Sequence, residues 1–171
     1  MNRDQGKFIA LYVATWSPDR LYRIYIIEET MYFICLSRYL GLERVLRARN
    51  GPLGMLVLKV AAKQGEGELK ALLSTLDVQH PRGLLDADEH NLAVSVQDVE
   101  EARLEPPSRF PSHGEHFGRW LLKLTGKKPM TFQFPRLAHM QEAYRMLPDI
   151  LGSKLQLAAR WDPIKERFSK A

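Results

Sequence analysis

Apolar and polar positions along this chain follow two periods, and the switches between them mark its elements. Phe8–Trp16 is dense in β-branched and aromatic residues and predicts a first strand. Ser17, Pro18 and Asp19 predict a turn, since Ser and Asp bond locally and Pro presets φ. Leu21–Glu28 alternates, with Tyr22, Ile24 and Ile26 on one side and Leu21, Arg23, Tyr25 and Ile27 on the other. Glu28, Glu29 and Thr30 form a tight connection to Met31–Ser37, apolar on both faces through Cys35, so strands two and three predict a hairpin.

The period then lengthens. Tyr39–Arg49 places Leu42, Val45 and Leu46 together and predicts a short helix, broken by Asn50, Gly51 and Pro52. Leu53–Lys63 is apolar apart from Lys59 and Lys63, four residues apart on one face. Glu68–Leu76 predicts another helix and Pro81–Ala87 a short one. Residues 40–90 therefore read as a helical block. Alternation returns at Leu92–Gln97, Val99–Glu105, Gly118–Thr125 and Met130–Phe134. A polar loop, 106–117, separates the second and third of these strands. Gly126, Lys127 and Lys128 form a hairpin turn between the last two.

From Arg136 to Leu151 the spacing is three, four, three, four: Leu137, Met140, Tyr144, Leu147, Leu151. That is one face of an amphipathic helix. Pro148 removes one of its backbone bonds, and Gly152 suits the position just past its end. Beyond it, Asp162 and Pro163 predict the cap of a last short helix in an otherwise loosely held tail, 153–171.

Seven strands split three and four by a helical insertion, then one long helix, give an element order with a precedent. LYRIYIIEETMYFICL, HNLAVSVQDVEEARLEP and GRWLLKLTGKKPMTFQF carry the likeness, the second through its strand–turn–strand step at Val96–Leu104. On these stretches the chain resembles the pleckstrin-homology-like superfamily, including its bacterial PH and GRAM-like members. The resemblance implies an α+β fold: a seven-stranded antiparallel sandwich or partly open barrel, with a helical insertion between strands three and four and a C-terminal capping helix. It implies one domain over residues 1–152 with its insertion at about 40–90, followed by a basic tail, 153–171. It also implies binding of lipid headgroups or peptides without catalysis. The family's basic motif between strands one and two is not reproduced, since only Lys7, Arg20 and Arg23 lie near that short loop.

Charge sharpens the partner question. The net charge of +5 is uneven: residues 1–49 carry +3, residues 50–118 carry −5 and residues 119–171 carry +7. A basic C-terminal third beside an acidic middle steers an anionic partner. Alternation puts Arg119, Leu121 and Lys123 on one face of their strand, opposite Trp120, Leu122 and Leu124, and Lys127 and Lys128 extend the cations into the turn. Arg119, Lys123, Lys127, Lys128, Lys59 and Lys63 are the candidate binding residues. The expectation is a cytoplasmic adaptor, peripheral to the membrane at most, for a protein partner or an anionic membrane surface. A nucleic-acid binder using the basic hairpin and tail is the alternative. The apolar 53–63 helix is a candidate dimer contact. The N-terminal MNRDQGKF lacks the apolar run of a secretory signal, and no stretch of about 18 apolar residues is present.

Catalytic patterns are weak. His113 and His116 have a spacing that suits a metal, but they lie in a loop outside any HExxH register, so a solvated loop is the stronger reading. Asp86, Asp88, Glu89 and His90 form an acidic cluster without the glycine and terminal glutamate of a calcium loop. The single cysteine, Cys35, sits between Ile34 and Leu36 and reads as a buried, inert thiol. No P-loop, GxGxxG or GxSxG occurs. The expectation is a protein without enzymatic activity, cofactor or metal.

Overall fold

The computed structural model describes residues 6–14, 17, 19–36, 66–108 and 116–171. The segments 39–49 and 53–63, with Lys59, Lys63 and the dimer contact expected there, lie outside the described residues, as does His113.

The first meander is β1 (Gly6–Tyr12), β2 (Arg20–Ile27) and β3 (Thr30–Cys35), to which β4 (Leu92–Ser95) adds. The second is β5 (Val99–Glu105), β6 (Arg119–Leu124) and β7 (Met130–Gln133). The expected two-sheet, seven-stranded sandwich is not what forms. β1 pairs along its length with β2 and, at Leu11 and Tyr12, also with β7. That seam fuses the two meanders into one sheet of order β4-β3-β2-β1-β7-β6-β5-β8. The eighth strand comes from the tail, where β8 (Leu155–Leu157) lies parallel to β5 and makes the sheet mixed. The sheet is open, with β4 and β8 as its edges.

One face of this sheet curls around the main core. Phe33 on β3 and Trp120 on β6 lie four strand steps apart, roughly 19 Å in a flat sheet at ~4.8 Å per step. Their rings are nevertheless 6.0 Å apart and nearly parallel. Phe8, Phe132 and Phe134 fill the same space, all essentially unexposed. Burial of these large rings is the main reason for the fold to close up.

A helix plugs the open side of this core. It runs over Leu137–Leu151, continues through Pro148 and ends at Gly152, whose φ is +52. Met140, Ala143, Met146, Leu147 and Leu151 are buried, with Leu137 and Tyr144 at the margin. It crosses β1 closely: a Cβ on Gly6 would collide with the end of the Met146 side chain.

Among the described residues the opposite face is covered over β1–β3. There the helix Glu66–Asp77, here α1, presents Leu69, Leu72, Leu73 and Leu76 to Ile9, Tyr25, Tyr32 and Ile34. The C-terminal helix is then α2. A 3-10 turn over Pro81–Ala87 adds Leu84, capped by His80, whose Nδ1 accepts from the Arg82 N–H. Asn91 ties this turn to the sheet, donating to the Leu84 carbonyl at 2.7 Å and accepting from the Cys35 N–H at 2.7 Å. The strand expected over Leu92–Gln97 stops at Ser95, where Val96–Asp98 forms a 3-10 turn.

The tail corrects the second expectation. Residues 153–171 are not loosely held, and no helix starts at Asp162. After β8, β9 (Ala159–Asp162) and β10 (Arg167–Lys170) form an antiparallel hairpin. Ala159 and Phe168 are buried in the main core, with the Phe168 ring 5.2 Å from Tyr144 on α2. Asp162 caps a turn instead, its Oδ1 accepting from the N–H groups of Ile164 and Lys165.

Candidate binding surface

Among the described residues no helix covers the outer face of β5–β7, and its charges are arranged in pairs. Trp120, Leu122 and Leu124 are buried, so alternation turns Arg119, Leu121 and Lys123 outward as expected. Arg119 donates to Glu105 at 2.6 Å, and Arg103 reaches the same carboxylate at 3.3 Å. Lys123 meets Glu100 at 2.7 Å. The side-chain bond from Lys123 holds the Glu100 carboxyl below its usual range, and the same bond raises the Lys123 ammonium. A β-bulge between Val99 and Glu101 sets Glu100 where this pair can form. The expected basic ribbon is therefore a charge-balanced ladder along β6. The acidic middle of the chain supplies its counter-charges, which net-charge counting by segment does not reveal.

Lys127 and Lys128 behave differently. Both are exposed in the β6–β7 turn, and neither makes an ion pair among the described residues. Sequence reasoning missed a second set of cations on the terminal hairpin. Ala159, Trp161 and Phe168 point toward the core, so register places Arg160, Asp162, Arg167 and Ser169 on the outward face. Arg160, Arg167 and Lys170 are exposed and make no ion pair among the described residues, whereas Lys165 lies 3.9 Å from Asp162. The backbone N–H groups of Lys165 and Ile164 hold the Asp162 carboxyl below its usual range. Ile164, at the tip, is 92% exposed. The alternation of Ala159, Trp161 and Phe168 about an Asp-Pro turn was the available signal.

On the other face, a cleft of about 260 Å³ opens at the end of α1, between Lys7, Tyr25, Asp77 and His80. Its carboxylate is saturated. Asp77 accepts from the Tyr25 hydroxyl at 2.8 Å, from Arg23 at 3.0 Å and from Lys7 at 2.7 Å. Burial raises the Asp77 carboxyl, but the bonds from Lys7, Tyr25 and Arg23 outweigh it and hold it low. Burial, then the Asp77 bond, pushes the Tyr25 hydroxyl above the usual phenol range. The cluster pins α1 to the sheet.

His116 is buried rather than displayed, and its Nδ1 accepts from the Gly118 N–H at 3.2 Å. Asp88 is buried too and accepts from the His90 N–H, which makes that acidic cluster a turn. Among the described residues no group of three metal-ligating side chains is brought together. Cys35 is a buried cysteine outside any disulfide. Among the described residues no helix is long and apolar enough to cross a membrane. No protein-family model, curated protein or solved structure matches the chain.

Proposed function

We propose that this protein is a non-catalytic binding module that docks on an anionic membrane surface through the cations of its C-terminal third. The observation that carries the reading is the sorting of charge in the fold. Arg119 and Lys123 are neutralised by Glu105 and Glu100, while Lys127, Lys128, Arg160, Arg167 and Lys170 stay exposed without ion pairs among the described residues. Exposed cations that form no ion pair among the described residues are the ones that attract an anionic surface, each contributing about 1 kcal/mol near an acidic leaflet. The attraction falls with salt, because the groups are solvent-exposed.

Cosedimentation with vesicles of phosphatidylcholine, with and without phosphatidylserine, tests this at low and physiological salt. The expected outcome is sedimentation with the anionic vesicles alone, weakened by salt and lost in a Lys127→Glu, Lys128→Glu, Arg160→Glu variant. Absence of binding to anionic vesicles at both salt concentrations overturns it.

A further inference from the structure

We infer that the tip of the β9–β10 hairpin is a membrane-inserting element, with Ile164 entering the boundary between headgroups and acyl chains. This deepens the reading above and rests on it. An exposed isoleucine alone is ordinary; three features set this one apart.

The first is rigidity. Pro163 precedes Ile164 with a fixed φ, and Asp162 Oδ1 accepts from the Ile164 N–H at 3.0 Å and the Lys165 N–H at 3.1 Å. Glu166 takes a left-handed φ of +44 to close the turn. The second is anchorage. Phe168 is buried, and its ring lies 4.9 Å from Trp161 and 5.2 Å from Tyr144. The hairpin is thus pinned at its base while its tip is held away from the core. The third is charge complementarity. Residues 159–170 carry four cations, Arg160, Lys165, Arg167 and Lys170, against the two carboxylates of Asp162 and Glu166. Lys165 in the turn and Arg160 and Arg167 on the outward face of the strands behind it can stay at the headgroups, with the Asp162 and Glu166 carboxylates in the same polar layer, while Ile164 alone goes deeper.

The same cations would suit nucleic-acid phosphates, but base stacking needs an open aromatic face. Trp161 and Phe168 pack on each other and on the α2 side of the core, and the displayed residue is aliphatic. The observations therefore favour a bilayer.

The test uses the full chain and the phosphatidylserine vesicles above. Ile164→Ser should weaken vesicle binding by about tenfold or more, the scale expected for one buried isoleucine side chain, while leaving the salt dependence intact. Because Ile164 is exposed, the variant should fold as the parent does. Ile164→Cys, labelled with a polarity-sensitive fluorophore, should shift to the blue on binding; Cys35 is buried and stays unlabelled. Unchanged affinity of Ile164→Ser with no blue shift overturns insertion, yet leaves the electrostatic reading standing if the charge-reversed variant still loses binding. No binding of the parent chain to the vesicles overturns both, and binding of single-stranded or duplex oligonucleotides in that case assigns the cations to phosphates of nucleic acid.

Discussion

At the scale of single residues, the curled core leaves little slack, and its imprint falls on positions with unremarkable side chains. Gly118 precedes β6 at φ +156, and a Cβ there would meet the Glu105 carbonyl at 2.9 Å and the Met140 sulfur at 2.6 Å. Only glycine lets β6 start so close to both. His139 shows the same crowding in its ionisation. Burial, with the positive charges of Arg23 and Arg136, lowers it from 6.5 to about 4. The unfolded chain then takes up a proton near the ordinary value, and the folded chain only near the depressed one. Falling pH favours the unfolded state between them, so stability is lost as pH drops from 6.5 toward 4. The lost stability is on the order of 2 kcal/mol for this half-buried group. Urea unfolding of the parent and of His139→Gln, compared at about pH 7 and about pH 4.5, should show a clearly smaller loss in the variant. An equal loss in both would mean that His139 meets water freely in the folded protein.

At the scale of elements, sequence patterning locates pieces well and their assembly poorly. β5 runs over Val99–Glu105, as its alternation predicts, and Leu69, Leu72, Leu73 and Leu76 mark the α1 stripe directly. Each of those signals lies within one element. The fusion of the two meanders rests instead on Leu11 and Tyr12 meeting Gln133 and Phe132, a contact between strands some 120 positions apart that no local period encodes. The tail was hidden for a related reason. Its strands are three or four residues long, and β8 pairs in parallel with distant β5. On the candidate surface, Lys127 and Lys128 were legible, whereas the neutralisation of Arg119 and Lys123 depends on cross-strand register. The docking of α1 is tested at Asp77. The Arg23 side chain is only 8% exposed and takes its counter-charge from Asp77. Asp77→Ala strands that guanidinium and should cost about 3 kcal/mol. Lys7→Met removes a half-exposed partner of the same carboxylate and should cost less than about 1 kcal/mol. Similar losses in the two urea titrations would show that Arg23 finds other compensation.

At the scale of the whole molecule, the tail decides which strand forms one edge of the open sheet and how well the core beneath it is covered. Without residues 153–171, β5 becomes an edge and loses its parallel partner, β8. The Lys154 ammonium no longer donates to the Val96 and Gln97 carbonyls at the 3-10 turn between β4 and β5. Phe168 and Ala159 leave the core, uncovering Tyr144 on α2. An exposed edge beside newly exposed apolar surface is the combination that drives chains to associate. The chain ending at Gly152 should therefore melt well below the full chain and bind a hydrophobic dye before it melts. Phe168→Ala separates packing from the loss of the whole segment. It keeps the strands and the cations, and should cost about 3 kcal/mol, as truncation of a buried aromatic does. If that variant keeps its vesicle binding at temperatures where it is folded, the hairpin has two separable jobs: its inner face completes the core and its outer face meets the partner. If the shortened chain melts where the full one does, the hairpin is an appendage, and the anchorage that holds Ile164 outward loses its basis.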